Sequence, residues 1–276
     1  MVTPMDDILS PVALAVLVAV ASWWLGTGVI LWLVRLPARL FRISMSGLTL
    51  LLIVSLFGTA WSMRQLSVTA DYVGFISVIL MWSWHEMAFL SGWVTGPRRV
   101  PQESGAVGWR RFSLAVQALL YHELALLLNF VVLCLMQVHQ PNHVALCTFA
   151  LLWCMRLSAK LNLYCGVPQV GEQYLPSHLV YMASYFRKSP VTGCFYLTMT
   201  LSTGTWLWLV LQAQRGAVDV STGWVLLASL LGLAIIEHVL MLFSLPLQRL
   251  WGWAMRHRAV APVVTAPVLP TPVDRA

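Results

Sequence analysis

The sequence predicts an all-α integral membrane protein of seven transmembrane helices, and three observations carry that reading. Of 276 residues, 59% are apolar and 10% charged, against about 45–50% and about 25% in ordinary soluble domains. Mean hydropathy over the whole chain is +0.77. Apolar runs near the ~20 residues that a helix needs to cross a ~30 Å hydrocarbon core recur seven times. Every such run should be helical, because hydrocarbon offers backbone N–H and C=O groups no water to bond.

The runs, in order, are 11–34, 45–62, 71–95, 113–137, 143–165, 191–213 and 222–245. The second is the shortest and is expected to sit tilted or to borrow residues at its ends. No cleavable signal peptide is expected, because Met1 to Asp7 carries Asp6 and Asp7 and no positive n-region. Between the fifth and sixth runs, Ser177 to Arg187 can form a short helix after Pro176. It would place Leu179, Met182, Ala183 and Phe186 on one face, away from His178, Ser184 and Arg187. That helix is expected to lie in the membrane interface or to dock a partner. The chain then divides into one transmembrane domain, 1–258, and a Pro-rich disordered tail, 259–276, with Pro262, Pro267, Pro270 and Pro272.

Orientation follows from Lys and Arg. One side or its helix ends holds Arg35, Arg39, Arg42, Arg98, Arg99, Arg110, Arg111, Arg156, Lys160, Arg187, Lys188 and four tail arginines. The other side has only Arg64 and Arg215. Fifteen against two places the basic side in the cytoplasm and, with an odd number of spans, the N-terminus in the periplasm. The same placement argues against nucleic acid as the target of the net charge of +7, since the charges flank apolar segments. The expected partner of the surface is the lipid bilayer. The five cysteines, odd in number and without a CxxC, read as buried small hydrophobes.

Ionisable residues inside spans are costly and are functional candidates by default. Three adjacent pairs occur: His85-Glu86, His122-Glu123 and Glu237-His238, on the third, fourth and seventh runs. Counted at ~1.5 Å per residue from the basic ends of the runs, each sits roughly 15 Å deep, in one layer with Arg156. Neighbouring helical residues diverge by about 100°, so each pair should look into the bundle. Thr198, Thr200, Ser202, Thr203 and Thr205 of the sixth run lie near that depth. The layer is read as a buried network in which Arg156 pairs with Glu86, Glu123 or Glu237, as a His/Glu ligand or metal site, or as a proton path. Trp82 and Trp84 flank His85 and serve either helix packing or stacking on a flat ligand. Neither His-Glu pair on the third and fourth runs continues into HExxH, no phosphate-binding loop or nucleophile elbow is present, and the seventh run has no lysine for a retinal Schiff base.

Several stretches resemble the PuhE-type photosynthetic complex assembly proteins of purple bacteria. They are Trp84-His85-Glu86-Met87-Ala88-Phe89-Leu90 running to Gly96-Pro97-Arg98-Arg99, then Gly108-Trp109-Arg110-Arg111-Phe112 and Tyr121-His122-Glu123-Leu124-Ala125. Further on come Met155-Arg156-Leu157-Ser158-Ala159-Lys160-Leu161-Asn162 and Leu175-Pro176-Ser177-His178-Leu179. The resemblance spans roughly residues 20–245. It implies an assembly factor of the photosynthetic inner (intracytoplasmic) membrane rather than an enzyme. Its partners would be reaction-centre or light-harvesting subunits or other assembly factors. It also implies proximity to bacteriochlorophyll, which His85, His122 or His238 would hold transiently through its magnesium. The alternative is a membrane enzyme that modifies a tetrapyrrole or lipid at the His/Glu layer.

Overall fold

The computed structural model describes residues 10–172, 175–216, 218–243 and 251–255. Residues 1–9, 244–250 and 256–276 lie outside the described residues, and with them the N-terminal aspartates, Pro246, the tail arginines and the Pro-rich tail. Among the described residues, seven helices are long and apolar enough to cross a membrane. They are α1 (Pro11–Val34), α2 (Phe41–Met63), α3 (Val68–Leu90), α4 (Gly108–Gln137), α5 (Val144–Cys165), α6 (Gly193–Arg215) and α7 (Val218–Leu240). A short α8 (Gly252–Met255) follows.

Local chemistry sets several ends. Ser10 caps α1 by accepting from the Ala13 N–H at 3.2 Å, with Pro11 as the first helical residue, where a missing N–H costs nothing. Ser67 caps α3 in the same way through Ala70, again at 3.2 Å. Gly166 ends α5 at φ +128°, and a Cβ there would fall 2.0 Å from Ser189 Oγ.

Four ends differ from the sequence expectation. The second helix borrows residues at both ends, as one of its two expectations had it, and runs from Phe41 to Met63, through Arg42. The third stops at Leu90, not 95, where Gly92 turns the chain at φ +76°. The fourth begins five residues early and is the longest, at 30 residues. The seventh ends at Leu240.

α3 is the hub, packed against α1, α2, α4, α5 and α7, with α2–α3 and α6–α7 as close antiparallel pairs. Its core neighbours include Val78, Met81 and Trp82 against Leu126, Leu133 and Phe149. The end of the bundle opposite the arginines is pinned by Asn142. Its Nδ2 donates to Asp71 Oδ1 at 2.8 Å and to the Gln65 carbonyl at 3.0 Å.

The basic end is built differently. α4 and α5 continue past the ends of α3 and α7, and two connections fold onto them. Residues 91–107 run along α4 so closely that a Cβ on Gly96 would fall 2.0 Å from the Gln117 carbonyl oxygen. The Thr95 carbonyl accepts from the His122 N–H at 2.9 Å. The segment Ser177–Tyr185 is a 3-10 helix rather than an α-helix. Its period of three keeps Leu179 and Met182 of the expected face inward, adds Tyr185, and leaves Ala183 and Phe186 half-buried; Leu179 and Met182 pack on Phe89. His178 Nε2 reaches the Leu90 carbonyl at 2.9 Å. The apolar face of this segment thus covers the end of its own bundle.

Candidate functional site

The polar layer is assembled by helix ends at different heights. Glu86 lies one turn, roughly 6 Å, from the end of α3, and Glu237 roughly 5 Å from the end of α7. Arg156 lies roughly 14 Å from the end of α5, and His122 roughly 21 Å from the start of α4. Counted from the opposite ends of the same helices, the four sit roughly 18–28 Å in. Measured along the helices, Arg156 keeps the roughly 15 Å expected from sequence, while Glu86, Glu237 and His122 do not, because their helices end elsewhere than the apolar runs. The charged groups do meet, but beneath the cap of connections at the basic end, because α3 and α7 stop just beyond them.

Arg156 holds Glu86 through two parallel bonds, Nε to Oε1 at 3.1 Å and Nη2 to Oε2 at 2.8 Å. The planar guanidinium matches a carboxylate in this geometry. Trp82, one turn before Glu86, adds its indole N–H to Oε1 at 3.1 Å. A second pair sits beside the first: Lys160 Nζ donates to Glu123 Oε1, and Trp153 donates to Glu123 Oε2 at 3.0 Å. Trp153, Arg156 and Lys160 are spaced i, i+3, i+7, so one face of α5 supplies all three donors. Glu237 stands apart from both ion pairs, and its Oε1 accepts from Trp23 of α1 at 2.9 Å.

His85 and His238 bond to neutral partners rather than to their adjacent glutamates. His238 donates from Nδ1 to the Ala234 carbonyl at 2.8 Å, which leaves Nε2 to accept from Ser158 Oγ at 2.9 Å. His85 Nε2 meets Asn129 Nδ2 at 3.1 Å, while its Nδ1 is buried with no partner. His122 packs its ring on Phe89, centroids 4.6 Å apart.

These placements test the pigment expectation. The three imidazoles are 4%, 2% and 2% exposed for His85, His122 and His238. Trp82, Trp84 and Phe149 wall in His85, with Trp84 5.1 Å away and edge-on. Trp84 itself donates to Thr49 at 3.0 Å. A cavity of about 90 Å³ lies between α1, α5 and α7, well below the ~300–1,000 Å³ of small-molecule sites. A tetrapyrrole does not fit against any of these histidines as they are packed. Among the described residues, no three His, Cys, Asp or Glu side chains are arranged to hold a metal ion.

Sequence reading missed Lys160, Asn129, Ser158 and Asn162 as members of the layer, and it took the deep Trp23 and Trp153 for packing or ligand stacking where they donate to Glu237 and Glu123. The i, i+3, i+7 spacing on α5 is a signal that would have found Lys160 and the role of Trp153. The pairings of Trp23 and Asn129 carry no local signal, since their partners are 214 and 44 residues away. The sixth helix contributes less than expected. Thr198 accepts from Asn162 Nδ2 at 2.9 Å and Ser202 approaches Met155 Sδ at 3.4 Å, but Thr200, Thr203 and Thr205 face outward. The cysteines are free thiols, four half-buried and Cys154 exposed, which corrects their reading as buried residues.

Fold and site together define a seven-helix, multi-pass membrane protein with a charged layer under one end. The chain belongs to the family described as "Protein of unknown function (DUF3623)", whose model matches residues 9–261. It is 37% identical over 250 residues to a Rhodobacter capsulatus protein described as "Uncharacterized 30.4 kDa protein in puhA 5'region". The match covers 88% of this chain and 90% of that one. No solved structure matches the chain.

Proposed function

We propose that this protein is a membrane-embedded assembly factor for the photosynthetic reaction centre and light-harvesting complex. The observation that carries the reading is the 37% identity to a protein described by its place in the puhA 5' region. The motifs that resemble PuhE-type assembly proteins point the same way, and they include Glu86, Glu123, Arg156 and Lys160 of the charged layer. In this reading the layer is a rigid internal brace. Two ion pairs between helices fix α3, α4 and α5 against one another, so that the outer helix faces are presented to a partner in fixed positions. No pigment is needed inside the bundle. We also place the basic end in the cytoplasm of a bacterial inner membrane. A reporter fused at Pro101 should then read cytoplasmic and one at Pro141 periplasmic, and opposite readings at both would reverse the orientation.

Deletion of the gene in a photosynthetic host tests the role. Reaction-centre and light-harvesting absorption bands in isolated membranes should fall, and a plasmid copy should restore them. The pigments extracted into solvent should stay chemically unchanged. A modified or precursor tetrapyrrole accumulating in the deletion strain would point to an enzyme instead. Unchanged bands and unchanged pigments together would remove both readings.

A further inference from the structure

We propose that the cleft between α1, α5 and α7 binds an apolar ligand through a carbonyl oxygen at its head. This stands independently of the assembly role. It starts from one guanidinium. Arg156 spends Nε and Nη2 on Glu86, and Nη1 makes no hydrogen bond among the described residues. Yet 45% of the Arg156 side chain is exposed. The residue lies roughly 18 Å from the far end of α5, well inside the span. Acyl chains cannot satisfy an exposed cationic N–H there, and leaving it bare costs several kcal/mol in a hydrocarbon surround. The free edge therefore calls for an oxygen acceptor, and no hydrogen bond from the described residues supplies one.

The walls say which acceptor. Arg156 lines a cleft of about 90 Å³ with Trp23, Met155, Leu231, Glu237 and His238. His238 offers nothing, because both of its ring nitrogens are already bonded. Glu237 brings a carboxyl group to the cleft, with Oε1 held by Trp23. One free N–H edge, one carboxyl and otherwise apolar walls suit an oxygen acceptor on an apolar tail. Charge narrows the class further. Glu86 already neutralises Arg156 and Glu237 adds a second carboxyl, so a dianionic phosphate head meets net repulsion. A neutral carbonyl, or a single carboxyl that shares a proton with Glu237, does not. The volume holds several waters, at about 10–15 Å³ of such space for each. That admits a carbonyl or carboxyl head with the first carbons behind it. The tail then leaves through the mouth that the exposure of Arg156 reveals. A quinone ring carbonyl and a fatty-acid carboxyl share this chemistry, and the experiment separates them.

Purified full-length protein in dodecyl maltoside, a detergent without carbonyl groups, would be titrated with decylubiquinone, with oleic acid and with hexadecane, and bound molecules counted by native mass spectrometry. At least one carbonyl probe should give a single saturating adduct, with hexadecane at least about tenfold weaker, the equivalent of ~1.4 kcal/mol. The probe that binds names the source. Ala234→Phe places a ring in the cleft, where Ala234 lines the wall with Arg156, and it should cut occupancy by about tenfold in a variant that still melts cooperatively. If that variant does not accumulate, the order of the three probes on the wild-type protein decides alone. The proposal is overturned if neither carbonyl probe saturates, if hexadecane binds equally well, or if folded Ala234→Phe binds as wild type does. The free edge of Arg156 would then simply be hydrated.

Discussion

α3 and α6 are both 23 residues long and nearly equal in hydropathy, yet their surroundings differ sharply. Of the most apolar stretch of α3, 56% is buried, against 17% of that of α6. α3 carries His85 and Glu86 and is the hub of the bundle. α6 carries Thr198, Thr200, Ser202, Thr203 and Thr205 and packs chiefly on α7. The difference lies in what each polar group needs. A carboxylate cannot be satisfied by its own helix, so Glu86 must find Arg156 on another. A threonine can be satisfied locally: Thr205 Oγ1 donates to the Leu201 carbonyl one turn back at 2.9 Å and faces outward at no great cost. Hydropathy thus says that a segment can cross a membrane, and the type of polar side chain says whether it must meet a neighbour.

The largest expected effect comes from breaking the contact that makes α3 a hub. Arg156→Leu leaves Glu86 unpaired and should cost about 3 kcal/mol, the lower end for breaking a buried pair because half of the arginine is exposed. The variant should accumulate poorly and melt earlier in detergent. Adding Glu86→Gln should recover part of the loss, since a neutral amide needs no counter-charge. A single variant that melts like the wild type would show that the pair does not brace the bundle.

Two glycines sharpen the comparison. A Cβ on Gly96 would fall 2.0 Å from the Gln117 carbonyl and 2.6 Å from the Ala118 backbone carbon, whereas one on Gly204 of α6 would meet nothing within 4 Å. Gly96→Ala must push residues 91–107 off α4 and weaken the Thr95–His122 bond, at a cost of about 2 kcal/mol. Gly204→Ala should lie within about 0.5 kcal/mol of wild type, or slightly stabilise the helix. Melting temperatures of the two variants side by side decide it, and equal values would contradict the packing described at the basic end.

A smaller contrast lies between the two faces of α6, one of which meets Asn162 of α5. Asn162 is fully buried and donates to Thr198 Oγ1 at 2.9 Å and to the Ser158 carbonyl at 3.0 Å. Asn162→Leu should cost about 1 kcal/mol, while Thr203→Val on the outward face should cost less than about 0.5 kcal/mol. If the threonine change proved the more damaging of the two, α6 would have a partner across its outer face.

Seven helices were legible in the sequence because span length and the satisfaction of the backbone are set by the bilayer. The inward direction of all three His-Glu pairs was legible for a similar reason, since adjacent helical residues cannot both escape to one side. The stopping points were not. The run 71–95 stays apolar through Trp93 and Val94, and only the turn at Gly92 ends the helix at Leu90. That error carried into the depth of Glu86. The pairing of Arg156 was legible as one of three carboxylates and falls on Glu86, but the second pair, Lys160 with Glu123, was out of reach. Lys160 resembles a span-end charge until α4 and α5 are seen to run past α3, which places Glu123 within its reach. The partners of the histidines were unreadable because Asn129, Ser158 and the Ala234 carbonyl are neutral groups with many equivalents along the chain.

The smallest effect belongs to the ion pair at the opposite extreme from the enclosed one. Glu103, in the connection between α3 and α4, takes two bonds to Oε2 from Arg110, from Nε at 3.0 Å and Nη2 at 2.5 Å, with Arg98 3.5 Å from its other oxygen. The bond from Arg110, helped by the charges of both arginines, holds the Glu103 carboxyl below its ordinary value. A folded-state value below the unfolded one, about 4.3, stabilises the folded state fully at pH values above the unfolded pKa. That contribution disappears as pH falls through the lowered folded value. The melting difference between wild type and Glu103→Gln should therefore be constant from neutral pH down to about 5 and close as pH falls below about 4. It should also shrink when salt is raised, because both partners are exposed and the screening length falls to about 3 Å at 1 M. A difference that persists unchanged into acid, or one that grows with salt, would mean that Glu103 acts through its packing in the connection rather than through its charge.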